Sequence, residues 1–218
     1  KDYLDENNLS ISSNGCLYKM DKVGLIPSIL TTWFAERKEY RKLAKEKGDA
    51  GDKEGYRYYD KKQLVTKILL NSFYGVLLLP SFRFYNKNNG EAVTITGKSV
   101  LQYAIKVSNY YYNKRLNTEK DWVVLADTDS IFLPALPLIR LEYEGNDENV
   151  LVEKTFEIVN EVQAIINRSF DMYAKKFHNI EPHYWEFKQE LITRRAFFGE
   201  AKKRYAMWII NKNGLKVN

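Results

Sequence analysis

The stretch that most constrains the fold is residues 123–133, VVLADTDSIFL, where two aspartates two residues apart sit between two apolar runs. Val123, Val124 and Leu125 on one side and Ile131, Phe132 and Leu133 on the other are β-branched or bulky, the composition of two short buried strands. Asp127, Thr128, Asp129 and Ser130 then form a hairpin tip, and the rest of the chain reads as its support. Residues i and i+2 of an extended chain face the same way, so Asp127 and Asp129 would present two carboxylates side by side. Like charges that close repel, and a divalent cation is the usual means of keeping such a pair ionised; carboxylate oxygens suit hard Mg²⁺. The same four residues also suit an ordinary turn capped by its own side chains, so the pattern alone leaves both readings open.

Composition narrows the function classes. A chain of 218 residues, 44% hydrophobic and 28% charged, is long enough for a sizeable core and globular in character. No apolar run reaches the roughly 18 residues of a membrane span. The opening KDYLDENNLS has neither a signal-like pattern nor a starting Met, and so abrupt a start and end point to a fragment. The single Cys16 excludes an internal disulfide and a cysteine zinc cage, and suits a reducing compartment such as the cytoplasm. His178 and His183 are too few for a histidine metal site and read as structural. A net charge of +6 and a pI near 9.1 favour an anionic partner such as nucleic acid, or reflect only a lysine-rich solvated surface.

Residues 1–26 read as a polar, irregular lead-in. From Pro27, well placed in a helix first turn, SILTTWFAERKEYRKLAKEK predicts a helix with Arg37 and Arg41 at i and i+4 on one face. Gly48, Gly51 and Gly55 predict a connection of a dozen or so residues, and a second helix follows over residues 60–79 to make an antiparallel hairpin. On it, Lys67, Asn71 and Tyr74 lie at i, i+4 and i+7, a polar stripe on an otherwise apolar helix. An ammonium, a carboxamide and a phenol in line suit a phosphate tail at one end and a flat sugar or base at the other. Gly75 beside them costs about 1 kcal/mol relative to Ala and often marks close approach by another group. A solvent-facing stripe with a packing glycine fits equally well.

Past Pro80, alternating aromatic and polar residues predict a short extended segment ending in a turn at Asn88, Asn89 and Gly90. A third helix is expected over residues 92–116, and an amphipathic helix covering a sheet over residues 148–177. From Tyr184 the pattern becomes strand-like, with Trp185, Phe187, Gln189 and Leu191 alternating against Glu186, Lys188 and Glu190. A further strand carries Lys202, Lys203, Arg204 and Tyr205 into AMWII. Three cations and an aromatic suit a phosphate backbone; a charged strand edge defended against aggregation is the alternative.

Taken in order, these pieces resemble the family B DNA polymerases, most closely the replicative enzymes of tailed bacteriophages. KILLNSFYG (residues 67–75) resembles the fingers motif K-x-x-x-N-S-x-Y-G, DTDS (127–130) the palm metal motif, and KKRY (202–205) the primer-strand motif. The lead-in NGCLYKMDKVGLIP and the helix FAERKEYR are also similar to phage segments. The resemblance implies an α+β fold, an antiparallel palm sheet backed by helices with a protruding two-helix fingers hairpin. Residues 1–26 would be palm lead-in, 27–79 the fingers and 80–218 a partial palm. By the same resemblance Asp127 and Asp129 hold two catalytic Mg²⁺ ions, with Mn²⁺ a possible substitute. Glu190 is a further palm carboxylate, with Glu186 competing for that place. Arg37, Arg41, Lys67 and Asn71 would hold an incoming dNTP and Tyr74 would lie under the nascent base pair. Gly75, Lys202, Lys203, Arg204 and Tyr205 would contact primer-template DNA.

The implied activity is template-directed nucleotidyl transfer by a DNA-directed DNA polymerase in replication. Its partners would be primer-template, dNTP, the remaining polymerase segments and a sliding clamp, with no membrane. Two departures stand out. Ala126 occupies a place where the phage enzymes usually carry Gly. The upstream D-x-x-S-L-Y-P-S type motif has no match in residues 1–26, and no exonuclease or thumb segment is recognised, so the expectation is a fingers and partial palm fragment, inactive alone. A non-catalytic nucleic-acid-binding module fits that missing aspartate. A reverse transcriptase or nucleotidyl cyclase ranks lower, because reverse transcriptases place their aspartates adjacently and lack the K-x-x-x-N-S-x-Y-G helix.

Overall fold

The computed structural model describes every residue except Lys202, Asn213 and Asn218. Its elements are α1 (Asp2–Glu6), β1 (Leu9–Ile11), β2 (Leu17–Lys19), α2 (Leu25–Asp49), α3 (Lys53–Val76), α4 (Lys87–Leu116), β3 (Leu125–Asp127), β4 (Ser130–Phe132), α5 (Leu136–Ile139) and α6 (Glu148–Tyr173). A π-helical turn (Ala174–His178) and strands β5 (Leu191–Phe198), β6 (Tyr205–Lys212) and β7 (Leu215–Lys216) complete the order. Helices mixed with small antiparallel sheets make the chain α+β. Its described strands form three separate sheets, β1-β2, β3-β4 and β5-β6-β7, and not a single one. The chain divides into two compact units, Lys1–Thr96 and Gly97–Asn218.

In the first unit α2 and α3 pack as the expected helical hairpin, joined through Trp33 edge-on to Phe73 at 5.9 Å and Tyr40 stacked on Tyr59 at 6.5 Å. Each such aromatic pair adds about 0.5–1.5 kcal/mol beyond the area it buries. The connection is far shorter than predicted, only Ala50, Gly51 and Asp52. Gly48 lies inside α2, where a Cβ would stand 3.3 Å from the Tyr56 ring, and Gly55 lies in the first turn of α3. Only Gly51, at φ +74°, uses the left-handed freedom of glycine. Asp52 caps α3 by accepting the Gly55 N–H at 2.8 Å and pairs with Lys47 at 3.0 Å; that backbone bond first, and Lys47 with it, hold its carboxyl below the usual range.

The segment after Pro80 is a run of turns, not an extended strand, and α4 starts at Lys87, before the expected Ala92. The reason is a cap missed in the sequence: Asn86 Oδ1 accepts the Asn89 N–H at 3.0 Å, which puts Asn88, Asn89 and Gly90 in the first helical turn. Gly90 serves packing there, since a Cβ would run into Leu78. The lead-in is tied to this turn by Asn14 donating to the Asn88 carbonyl at 3.0 Å and the Tyr18 hydroxyl donating to Asn89 at 3.2 Å.

The second unit is built on a core from the later turns of α4 (Val100, Ala104, Tyr112), Leu138 of α5 and Val162, Ile166 and Phe170 of α6. The Tyr112 hydroxyl donates to the Pro134 carbonyl at 3.1 Å, and burial pushes that phenol well above its usual range. Helix α6 ends at Tyr173, short of the expected Phe177, and passes into the π-helical turn. The alternation after Tyr184 is real: Trp185, Phe187 and Gln189 point inward and Glu186, Lys188 and Glu190 outward. Yet residues 184–190 form no ladder, because α6 side chains take the place of a neighbouring strand. Asn167 accepts the Phe187 N–H at 2.7 Å and donates to its carbonyl at 2.9 Å, and Gln163 accepts the Gln189 N–H at 2.7 Å. The strand proper starts at Leu191.

Candidate functional site

The aspartate stretch folds as the sequence implies, with a shorter turn. β3 and β4 pair antiparallel in the register Leu125 with Phe132, Ala126 with Ile131 and Asp127 with Ser130. Ile131 and Leu133 pack on the core, so the tip is carried on a fixed base. The entering chain is pinned as well, since Asn109 accepts the Trp122 backbone N–H at 2.8 Å and Asn113 accepts its indole N–H at 2.9 Å.

The tip backbone is not the extended i, i+2 chain expected from the sequence. The backbone reverses at Thr128, φ 57°, and the Asp129 N–H closes onto the Asp127 carbonyl at 2.6 Å. A positive φ at a β-branched residue is strained, of order 1–3 kcal/mol, and such strain persists only where the surroundings enforce it. Asp127 is half-buried, and its Oδ1 accepts the Thr128 hydroxyl at 3.0 Å; Asp129 is exposed at the tip. Ala126 is exposed, so its methyl group meets no packing constraint.

The β5-β6 hairpin brings the basic motif to this tip. Lys203 Nζ lies 3.3 Å from Asp127 Oδ1. The approach is fixed by three rings: Phe132 of β4 stands 6.0 Å from both Phe198 of β5 and Tyr205 of β6, and those two are 6.2 Å apart. The connecting loop is closed by the Gly199 N–H on the Arg204 carbonyl at 2.7 Å. Arg204 is exposed, Tyr205 opens β6, and Lys202 lies outside the described residues. Neither the ring cluster nor the Lys203–Asp127 pair was read from the sequence; three aromatics on three different strands carry no local periodicity that links them.

Hard oxygen donors on Asp127 and Asp129 suit Mg²⁺, which is bound by one or two carboxylates with water and substrate phosphates completing its shell. The site already attracts positive charge, since the Lys203 ammonium stands at Asp127 as a cation would. Two carboxylates therefore fit such an ion. Among the described residues no three acidic, histidine or cysteine side chains converge to hold one. Glu190 is exposed at the foot of β5, and Glu186 is paired with Lys188 at 3.1 Å.

In the first unit the predicted stripe lies on α3, with Lys67, Asn71 and Gly75 exposed and Tyr74 half-buried. A Cβ built on Gly75 meets nothing, so no packing inside the unit requires glycine there. On α2, Arg37 and Arg41 stand one turn apart, Arg41 nearer the tip of the hairpin. Burial first, and the charge of Arg41 second, hold the Arg37 guanidinium below its usual pKa. Its Nε is buried and has no hydrogen-bond partner. Clustered cations with an unsatisfied buried donor are the condition an incoming anion would relieve.

Residues 4–184 match the model of DNA polymerase family B. The chain belongs to that family. It is similar to the DNA-directed DNA polymerase of Escherichia phage RB69, 26% identical over 95% of this chain and 29% of that polymerase. It is also similar to the DNA-directed DNA polymerase of Enterobacteria phage T4, 25% identical over 91% of this chain and 28% of that protein. DNA polymerase 2 of Aeropyrum pernix is 27% identical over 94% of this chain and 20% of its own length. The solved family B DNA polymerase of Pyrobaculum calidifontis aligns with 92% of this chain and 21% of its own, at 26% identity and a TM-score of 0.49. The chain thus spans between 20% and 29% of the length of the three curated relatives.

Proposed function

We propose that this chain forms the fingers and part of the palm of a DNA-directed DNA polymerase that adds dNTPs to a primer 3′-hydroxyl. Residues 27–79 would be the fingers, with residues 1–26 leading in from the palm and 80–218 belonging to it. The observation that carries the reading is the meeting of two motifs far apart in sequence, with Lys203 of the basic motif 3.3 Å from Asp127 of the aspartate motif. A carboxylate pair beside a phosphate-binding lysine is what transfer at a primer terminus requires, because catalysis of this kind rests on positioning and electrostatics.

The roles divide by unit. Asp127 and Asp129 would hold divalent cations, Mg²⁺ or Mn²⁺; Glu190 stands at the end of β5 away from the Lys203 loop and would be a separate palm carboxylate. When bound, such a pair of ions supplies activation of the attacking hydroxyl and charge for the leaving pyrophosphate. Lys203, Arg204 and Tyr205 would grip the primer strand, together with Lys202. On α2 and α3, Arg37, Arg41, Lys67 and Asn71 would neutralise and orient the triphosphate, and the unpartnered Arg37 Nε supports that use. Tyr74 would present its ring beneath the new base pair, where the open space at Gly75 leaves room for the duplex. Remaining polymerase segments would complete the site, and a sliding clamp would act on the assembly.

Primer extension by a polymerase assembled around this chain tests the reading. Asp127→Asn or Asp129→Asn is expected to abolish extension while duplex binding persists. Extension near the wild-type rate by either variant would refute it.

A further inference from the structure

One oxygen of the aspartate tip already has two donors. Asp127 Oδ1 accepts the Thr128 hydroxyl at 3.0 Å and faces the Lys203 ammonium at 3.3 Å. A divalent cation drawn to that carboxylate meets a like charge there, so it must either displace Lys203 or bind against its repulsion. Lys203 is equipped to leave. Its side chain is 71% exposed, against 27% for Asp127, and its backbone sits in the left-handed region, φ 64°, at the crest of the β5-β6 loop. The loop beneath it does not depend on the ion pair. Phe132, Phe198 and Tyr205 and the Gly199 to Arg204 bond hold it, so the ammonium can swing on its four-carbon stem while its base stays in place.

We propose that Lys203 is a positioning residue shared between two anions. It rests on Asp127 when no divalent cation is bound, and metal binding releases it to a phosphate of the primer strand. Metal and DNA then favour each other through one side chain, and the coupling is the same factor in both directions. This inference rests on the metal-site reading given above. An exposed ion pair sets the size of the effect at up to about fivefold in affinity.

Titration of the chain with Mn²⁺, followed by the electron paramagnetic resonance of the free ion, tests the proposal without catalysis. Lys203→Ala is expected to tighten Mn²⁺ binding about two- to fivefold, because the competing ammonium is gone. Lys203→Arg, which keeps the charge, is expected to bind Mn²⁺ as the wild type does. In a second arm, duplex affinity is measured by fluorescence anisotropy at matched ionic strength. Lys203→Ala is expected to cost more affinity with Mg²⁺ present than without it; general screening acts on both proteins and cancels. Equal Mn²⁺ binding by wild type and Lys203→Ala overturns the proposal and leaves the metal site standing. Mn²⁺ binding by none of the three proteins overturns the metal site and the proposal together.

Discussion

The architecture of the second unit makes Phe132 the residue whose loss should uncouple the two hairpins. Its ring meets Phe198 and Tyr205, each at 6.0 Å, and Phe132 is the one aromatic residue on β3 or β4. Phe132→Ala removes both pairs, about 1–3 kcal/mol at about 0.5–1.5 kcal/mol each. The ring is only half-buried, so the lost burial adds about 1 kcal/mol, roughly half the value for a fully buried phenylalanine. The expected cost is therefore about 2–4 kcal/mol, read as a shift in urea midpoint by the fluorescence of Trp122, Trp185 and Trp208, which all lie in this unit. The same variant should weaken primer-template binding, because the loop bearing Lys203 loses its anchor. A change below about 0.5 kcal/mol, the range of ordinary surface substitutions, would refute the claim that these rings hold the hairpins together.

Two further predictions concern the first unit. Lys67→Ala should weaken dNTP use by about 2–3 kcal/mol, the scale of one charge-assisted hydrogen bond; an unchanged dNTP dependence of extension would return Lys67 to the solvated face. Gly75→Ala should raise thermal stability by about 0.5–1 kcal/mol, since a Cβ meets nothing there, while lowering duplex affinity in a binding titration. Tighter or unchanged duplex binding would show that the space at Gly75 is not used by DNA.

Much of this fold was legible because its signals are local. Apolar runs on either side of DTDS defined the β3-β4 hairpin, and helical spacing defined α2, α3 and α6. The misreadings came where a residue served packing instead of the turn it resembles. Gly48 and Gly90 sit against Tyr56 and Leu78 inside helices, so a loop was expected where helix continues. The alternation at residues 184–190 was read as a strand; it does separate a half-buried from an exposed face, but the sequence did not reveal that Asn167 and Gln163 would satisfy the backbone in place of a ladder. An i, i+4 amide pair beside the buried Ile166 was the available clue. At the site, the motifs named Asp127, Asp129 and Lys203 individually. Their meeting depends on Phe132, Phe198 and Tyr205, contacts of long sequence separation that periodicity does not encode. The left-handed turn at Thr128 was hidden for another reason, since a threonine is the last residue expected to adopt it.

The central claim is that the Asp127–Asp129 tip holds a divalent cation. It is tested most directly by ¹⁵N-resolved NMR of the chain during addition of substoichiometric Mn²⁺, whose unpaired electrons broaden nearby amides. The account predicts that Asp127, Thr128, Asp129 and Ser130 broaden first, with the Lys203 amide among the next. It also predicts that the pattern disappears in Asp127→Asn/Asp129→Asn. Broadening centred elsewhere, or unchanged in the double variant, would contradict it.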